Sequence, residues 1–255
     1  DYGFTFLNCE AVAFGIATPE QANSIHAWLD GERKVAGDTS TGDIYHWRFG
    51  PRSTTRRNLD YYFWGWSNPE SVPWGNQVQD GGAVLAWSYY DLMARLKTAG
   101  PDDAAARLSA MATWFDETQR EGGYRKYYGK DATRGTLQGG NVAGGLGLDS
   151  EFVESVLAPQ VMLYGFLGFR PTVDGFAIAP QLPKDWPALT VTRIHLHDEV
   201  LDVTMDQEGR LKISGTSPNS EELVVHGPAG LQVSAPHELK VRFVGDLGDR
   251  ESKTN

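Results

Sequence analysis

The feature that most constrains this chain is a change of hydrophobic period. Up to about residue 168 the apolar residues recur at three- and four-residue spacing, and beyond about residue 188 they alternate. The first rhythm suits one face of a helix and the second a half-buried strand, so the chain cannot be built on one architecture. In the first stretch, Thr18-Pro19-Glu20-Gln21 predicts a helix start. Thr18 caps, Pro19 fits the first helical position and Gln21 completes a capping box. Ile25, Trp28 and Leu29 share one side of that helix, which stops at Gly31. A second helix is expected over 82–99, with Val84, Leu85, Tyr89, Leu92 and Leu96 at helical spacing and Gly100-Pro101 as the break. Pro101-Asp102-Asp103 opens a third, with acid complementing the helix dipole. It reaches about Glu121, with Leu108, Met111, Ala112 and Phe115 as its apolar face. A last helix is expected from about Asp149 to Gly168, kinked at Pro159.

Beyond a connector punctuated by Pro180, Pro183 and Pro187, strands are expected at 189–197, 200–205, 210–214, 223–226, 231–234 and 239–244. Gln207-Glu208-Gly209 reads as a hairpin turn. Short strands with Gly, Pro and Asn turns predict a small antiparallel β-sandwich. The chain is thus expected to be α+β and multidomain, with helices over 1–170 and a β-domain with its connector over 171–255.

Composition narrows the function classes. A net charge of −10 over 255 residues argues against nucleic acid or an anionic membrane as partner. No stretch approaches the roughly 18 apolar residues of a membrane span. Cys9 is the single cysteine, which excludes an intrachain disulfide and a multi-cysteine metal site; its apolar neighbours predict a buried, inert thiol. No His, Asp or Glu cluster has metal-ligand spacing, and the Gly-rich residues 139–147 lack the Lys-Ser/Thr of a phosphate loop. No cofactor is expected. His195 and His197 alternate on a strand and read as surface or satisfied residues.

The segment between residues 31 and 80 is long and crowded with aromatics, including half of the eight tryptophans. Long loops in compact domains are usually functional. Trp47, Trp66 and Trp74 stand beside polar, Gly or Pro residues, where a flat ring can pack on the C–H face of a sugar. Asn76, Gln77 and Gln79 offer polar edges for its hydroxyls. Phe63 and Trp64 read as core. Arg48, Arg52, Arg56 and Arg57 form a basic cluster that either forks onto a substrate carboxylate or pairs with Asp38, Asp43 and Asp60. His46 lies among them.

Three groups of residues carry a resemblance. They are Gly165-Phe166-Leu167-Gly168-Phe169-Arg170-Pro171, Asp174-Gly175-Phe176, and Pro180-Gln181-Leu182-Pro183-Lys184-Asp185-Trp186. Together they resemble the junction between toroid and C-terminal β-domain in maltose-phosphorylase-like, α-L-rhamnosidase-like and α-1,2-L-fucosidase-like enzymes. Val78-Gln79-Asp80-Gly81-Gly82 is similar to the fucosidase pattern of an acidic residue before a Gly-bearing helix start. The resemblance implies the closing helices of an (α/α)6 toroid, a carbohydrate substrate, and an upstream segment or subunit that completes the ring. Residues 136–149 offer glycines but no His where the phosphorylases bind phosphate, which favours hydrolysis.

Glycoside cleavage needs two carboxyl groups about the bond. Asp80, between the aromatic segment and a helix N-terminus that favours a charged carboxylate, is the first candidate; the alternative is an ordinary cap. Glu70 is the second. Glu151 and Glu154 fit dipole complement better. The expected activity is an inverting glycoside hydrolase. The alternatives are a portion that lines the sugar cleft while another segment does the chemistry, or a polysaccharide lyase using Tyr45, His46 and Arg48.

Overall fold

The computed structural model describes residues 4–30, 32–33, 88–123, 126, 157–216 and 222–245. The chain divides into two compact units, Asp1–Ala158 and Pro159–Asn255.

The first unit carries α1 (Thr5–Ala13), α2 (Pro19–Leu29), α3 (Ser88–Thr98) and α4 (Pro101–Arg120). The capping box forms: Gln21 N donates to Thr18 Oγ1 at 3.3 Å, and Thr18 N donates to Gln21 Oε1 at 2.9 Å. Two backbone donors that a helix start leaves orphaned are thereby satisfied. Ala22, Ile25, Trp28 and Leu29 of α2 pack in one buried cluster with Cys9 and Val12 of α1 and Ala94 of α3. Each large apolar side chain buried in this way contributes about 1.5–3 kcal/mol. Gly100 separates α3 from α4 at φ 96, a backbone state glycine reaches without a Cβ penalty. Among the described side chains of α4 the buried apolar ones are Ala104, Leu108 and Met111; that of Phe115 lies outside the described residues. Ala112, expected on that face, is exposed. Apolar residues surround α1 on all sides, yet Leu7 within it and Phe14 and Ile16 just beyond are exposed, Ile16 to 77%.

The division at Ala158 falls within α5 (Leu157–Gln160), which passes into a π-helical segment, Val161–Phe166. Leu167 N bonds Met162 O at 2.9 Å, five residues back. The wider turns begin just after Pro159, whose ring has no N–H to donate to the α-helical ladder. Eight strands follow among the described residues: β1 (Arg170–Thr172), β2 (Gly175–Ala177), β3 (Ala188–Leu196), β4 (Glu199–Asp206), β5 (Arg210–Thr216), β6 (Leu223–Gly227), β7 (Gln232–Ser234) and β8 (Val241–Gly245). They form two four-stranded sheets, ordered β1-β2-β6-β8 and β3-β4-β5-β7.

Two expectations need correction. The sheets are mixed, not wholly antiparallel: β2 pairs β6, β6 pairs β8 and β5 pairs β7 in parallel. Alternation identifies a strand but not its partner, and β6 returns beside β2 only after the β3–β4–β5 meander has been laid into the other sheet. The segment before Pro180 also holds the short hairpin β1–β2, whose three-residue strands are too brief for a period to show.

In β3 the burial phase slips, from Leu189 to Ile194 and Leu196. Val191 pairs Val203 and Ile194 pairs Leu201, so one extra residue bulges. Arg193 sits there at φ 57 and its N–H donates to Asp202 Oδ1 at 2.8 Å. Without the bulge, the second half of β3 would turn its apolar set to water.

Junction residues Phe166, Leu167, Phe169 and Phe176 join Leu201, Val203, Leu211 and Ile213 among the buried residues of this unit. Phe169 stacks on Phe176 with ring centroids 4.8 Å apart, and Phe166 lies 4.8 Å from Trp186. A β-carbon on Gly168 would stand 2.1 Å from the Ala179 carbonyl oxygen, and one on Gly175 would stand 2.0 Å from that of Val224. At Gly168 and Gly175 the missing side chain is the space through which two backbones approach.

Candidate functional site

His46, Trp47, Arg48, Trp66, Glu70, Trp74, Asn76, Gln77, Gln79 and Asp80 lie outside the described residues, as do Glu151, Glu154 and the Gly-rich stretch 139–147. The structure does describe the two helix ends from which segment 31–87 springs. There it shows a charge cluster that the sequence reading did not single out.

Asp91, in the first turn of α3, is wholly buried. Its Oδ1 accepts from Arg95 Nε at 2.9 Å, and its Oδ2 accepts from Arg107 Nε at 2.9 Å. Arg95, also buried, donates further to Asp103 Oδ1 at 2.9 Å and to Asp30 Oδ1. One guanidinium thus joins α3 to the first turn of α4 and to the residue that caps the C-terminus of α2. Burial works against ionising Asp91, but the charges of Arg107 and Arg95 and their hydrogen bonds outweigh it, holding its carboxyl below the ordinary carboxylate range. For Arg95 burial opposes the charge, and Asp91 and Asp30 more than restore it.

Both Asp91 oxygens are committed to cations, so this carboxylate can neither take up a proton readily nor face a substrate. The cluster holds structure and does not exchange protons. Its signal in the sequence was faint: Asp91 and Arg95 stand four apart, as do Asp103 and Arg107, on stripes otherwise filled by Leu92, Ala94, Leu96 and Leu108. Asp103 read as dipole complement, and it also serves the guanidinium.

Beside the cluster, His26 Nε2 lies 2.7 Å from Thr98 Oγ1. That hydroxyl spends its own hydrogen on the Ala94 carbonyl, so Nε2 is the donor. Nδ1 is buried without a partner. Burial, then the charge of Arg95, lowers the pKa of this imidazole, so a neutral ring fits the site. Burial pushes the Cys9 thiol well up, which makes it inert as a nucleophile.

A groove of about 430 Å³ between α1 and α2 is lined by Asn8, Ala11, Ile16, Ala17, Gln21, Ser24 and Ile25. It offers amides and a hydroxyl but no titratable group, so it has no means of proton transfer. Among the described residues no group of His, Cys, Asp or Glu could hold a metal ion, and no helix is long and apolar enough to cross a membrane. In the β unit His195 and His197 are exposed, and His197 Nε2 donates to the Thr172 carbonyl at 2.9 Å.

The chain is similar to the C-terminal part of glycoside hydrolases and phosphorylases. Residues 169–227 match the family model described as glycosyl hydrolase family 65, C-terminal domain. That match covers less than a quarter of the chain and contains most of the junction on which the resemblance rests. A search of curated proteins finds no match. Among solved structures, a GH78 family rhamnosidase of Bacillus sp. GL1 aligns over 97% of this chain and 21% of its own, at 14% identity and a TM-score of 0.39. A protein from the human microbiome described as a kojibiose phosphorylase aligns over 81% of this chain and 36% of its own, at 13% identity and a TM-score of 0.27. The chain thus spans about a fifth and about a third of those two structures.

Proposed function

We propose that this chain is part of a carbohydrate-active enzyme, an inverting glycoside hydrolase acting on an oligosaccharide or polysaccharide. The observation that carries the carbohydrate-active part of the reading is the family match at residues 169–227, which falls on the Gly, Pro and Trp junction; the choice of hydrolysis rests on the sequence of 136–149, which offers no His. In this reading 1–170 are the closing helices of an (α/α)6 toroid, and another segment supplies the rest of the ring. The exposed Leu7, Phe14 and Ile16 support that part, since an amphipathic bundle normally covers such residues. Residues 171–255 then form the β-domain.

Asp80 or Glu70 serves as the base that activates water, opposite a general acid from the upstream segment. Trp47, Trp66 and Trp74 stack on sugar rings. Arg48, His46, Asn76, Gln77 and Gln79 bind hydroxyl or carboxylate groups. No cofactor takes part.

The test is Asp80→Asn in the complete enzyme. Loss of a general base lowers turnover by about 10²- to 10⁴-fold while folding is retained. A mere cap tolerates Asn, so activity near wild type returns Asp80 to a structural role. Glu70→Gln is then the next variant. If both retain activity, this chain supplies the cleft wall and another segment the chemistry.

A further inference from the structure

We propose that His26 is an acid-released latch between α2 and α3: its neutral ring fastens the two helices through Thr98, and a proton taken up at Nδ1 drives the ring out to water and loosens the pair. The latch stands on the helical unit alone and holds whichever glycan, if any, the protein acts on.

The geometry leaves an added proton one place to go. Nε2 already carries a hydrogen and donates it to Thr98 Oγ1 at 2.7 Å, because that hydroxyl gives its own hydrogen to Ala94 O at 2.9 Å. The added proton therefore enters at Nδ1, which is buried and has no hydrogen-bond partner among the described residues. In the closed pair it becomes a buried donor without an acceptor, on a ring that has just gained a charge, and burying such a group is costly. Turned to water, the same imidazolium is solvated.

The charges around the ring do not supply what Nδ1 lacks. Arg95 of α3 opposes a second cation, while Asp91 of α3, Asp30 at the end of α2 and Asp103 of α4 favour one. Each of those carboxylates is already held by arginine: Asp91 by Arg95 and Arg107, Asp30 and Asp103 by Arg95. Lys97 of α3 donates to Ala13 O, and Arg33 beyond α2 donates to Ser24 O. α1, which also packs on α2, brings Cys9 and Glu10. Burial and Arg95 prevail, so the closed ring takes a proton only below the ordinary imidazole range. An open ring takes it at about 6.5. The latch is therefore fully closed above about pH 6.5, and its contribution is lost as pH falls from there through the lower, closed value. While the closed ring stays neutral, the opening equilibrium rises by up to about tenfold per pH unit. Asp91, held below the ordinary carboxylate range, keeps its charge through this window.

In the complete protein, the imidazole ¹⁵N resonances of His26 are followed from about pH 8 to about pH 5. Hydrogen–deuterium exchange is read in parallel on peptides of α2 and α3, corrected for the intrinsic effect of pH on exchange. The latch predicts an Nε2–H tautomer at the upper end and a ring that gains its proton below about pH 6.5. As it does so, exchange in α2 and α3 rises by up to about tenfold per pH unit, while β3–β5 stay protected. His26→Gln keeps an N–H for Thr98 and cannot titrate, so its α2 and α3 peptides exchange at one corrected rate throughout. An Nδ1–H tautomer, a ring that charges in place with exchange unchanged, or a His26→Gln variant with the wild-type pH response would each overturn the proposal. If the Gln variant does not fold, the resonances and exchange of the wild type decide alone.

Discussion

Asp91 shows how a single carboxylate is committed by its surroundings. Asp91→Asn removes the counter-charge that Arg95 and Arg107 share in a dry site. Breaking a buried pair in this way costs about 3–5 kcal/mol, to be read from urea unfolding of the helical unit. The pH dependence has a definite sign. Because the folded carboxyl titrates below the unfolded one, its contribution is complete above the unfolded pKa of about 3.9. It is lost as pH falls from there through the lower, folded value. Stability should therefore decline in acid below about pH 4, and the Asn variant should show a flatter curve over that range. At this scale the sequence was only partly readable. Thr18 and Gln21 could be paired by spacing alone, because a capping box is a local device. Asp30, Asp91 and Arg107 could not, because nothing local brings residue 30 to residue 91.

Among the elements, the helices at 19–29 and 101–120 were legible because their ends are chemically marked, by Thr18-Pro19 and by Gly100-Pro101. The longer strands were legible from alternation. Their pairing was not, and neither was the β3 bulge, where positive φ at Arg193 is held by Asp202 across the sheet. The junction glycines yield a sharp prediction. Gly175→Ala places a methyl group against the Val224 carbonyl, and the strand pairing leaves no room to retreat. A loss of at least about 2 kcal/mol is expected in chemical denaturation of the β unit. Gly209→Ala is the comparison: open space surrounds it, and only its φ of 79 resists a β-carbon, for about 1–2 kcal/mol. If the two variants cost the same, the glycines of the resemblance serve conformation and not close approach.

The whole molecule is a helical unit and a β unit. The β unit carries the family match, yet many of its described ionisable groups are exposed, and Asp206 is paired within its own turn with Arg210 and Glu208 N. The helical unit holds the buried cluster of Asp91, Arg95 and Arg107. Residues 46–80 stand out in composition alone, with aromatics, amides and acids concentrated between two helices, and they lie outside the described residues. The most direct test of the central claim is turnover. The complete enzyme is incubated with a panel of oligosaccharides and polysaccharides, with and without inorganic phosphate, and products are followed by nuclear magnetic resonance with polyuronates monitored by ultraviolet absorbance. The account predicts phosphate-independent release of a sugar whose anomeric configuration is inverted. Strict dependence on phosphate would make the enzyme a phosphorylase, a rise in absorbance would make it a lyase, and inertness toward every glycan would contradict the carbohydrate-active reading itself.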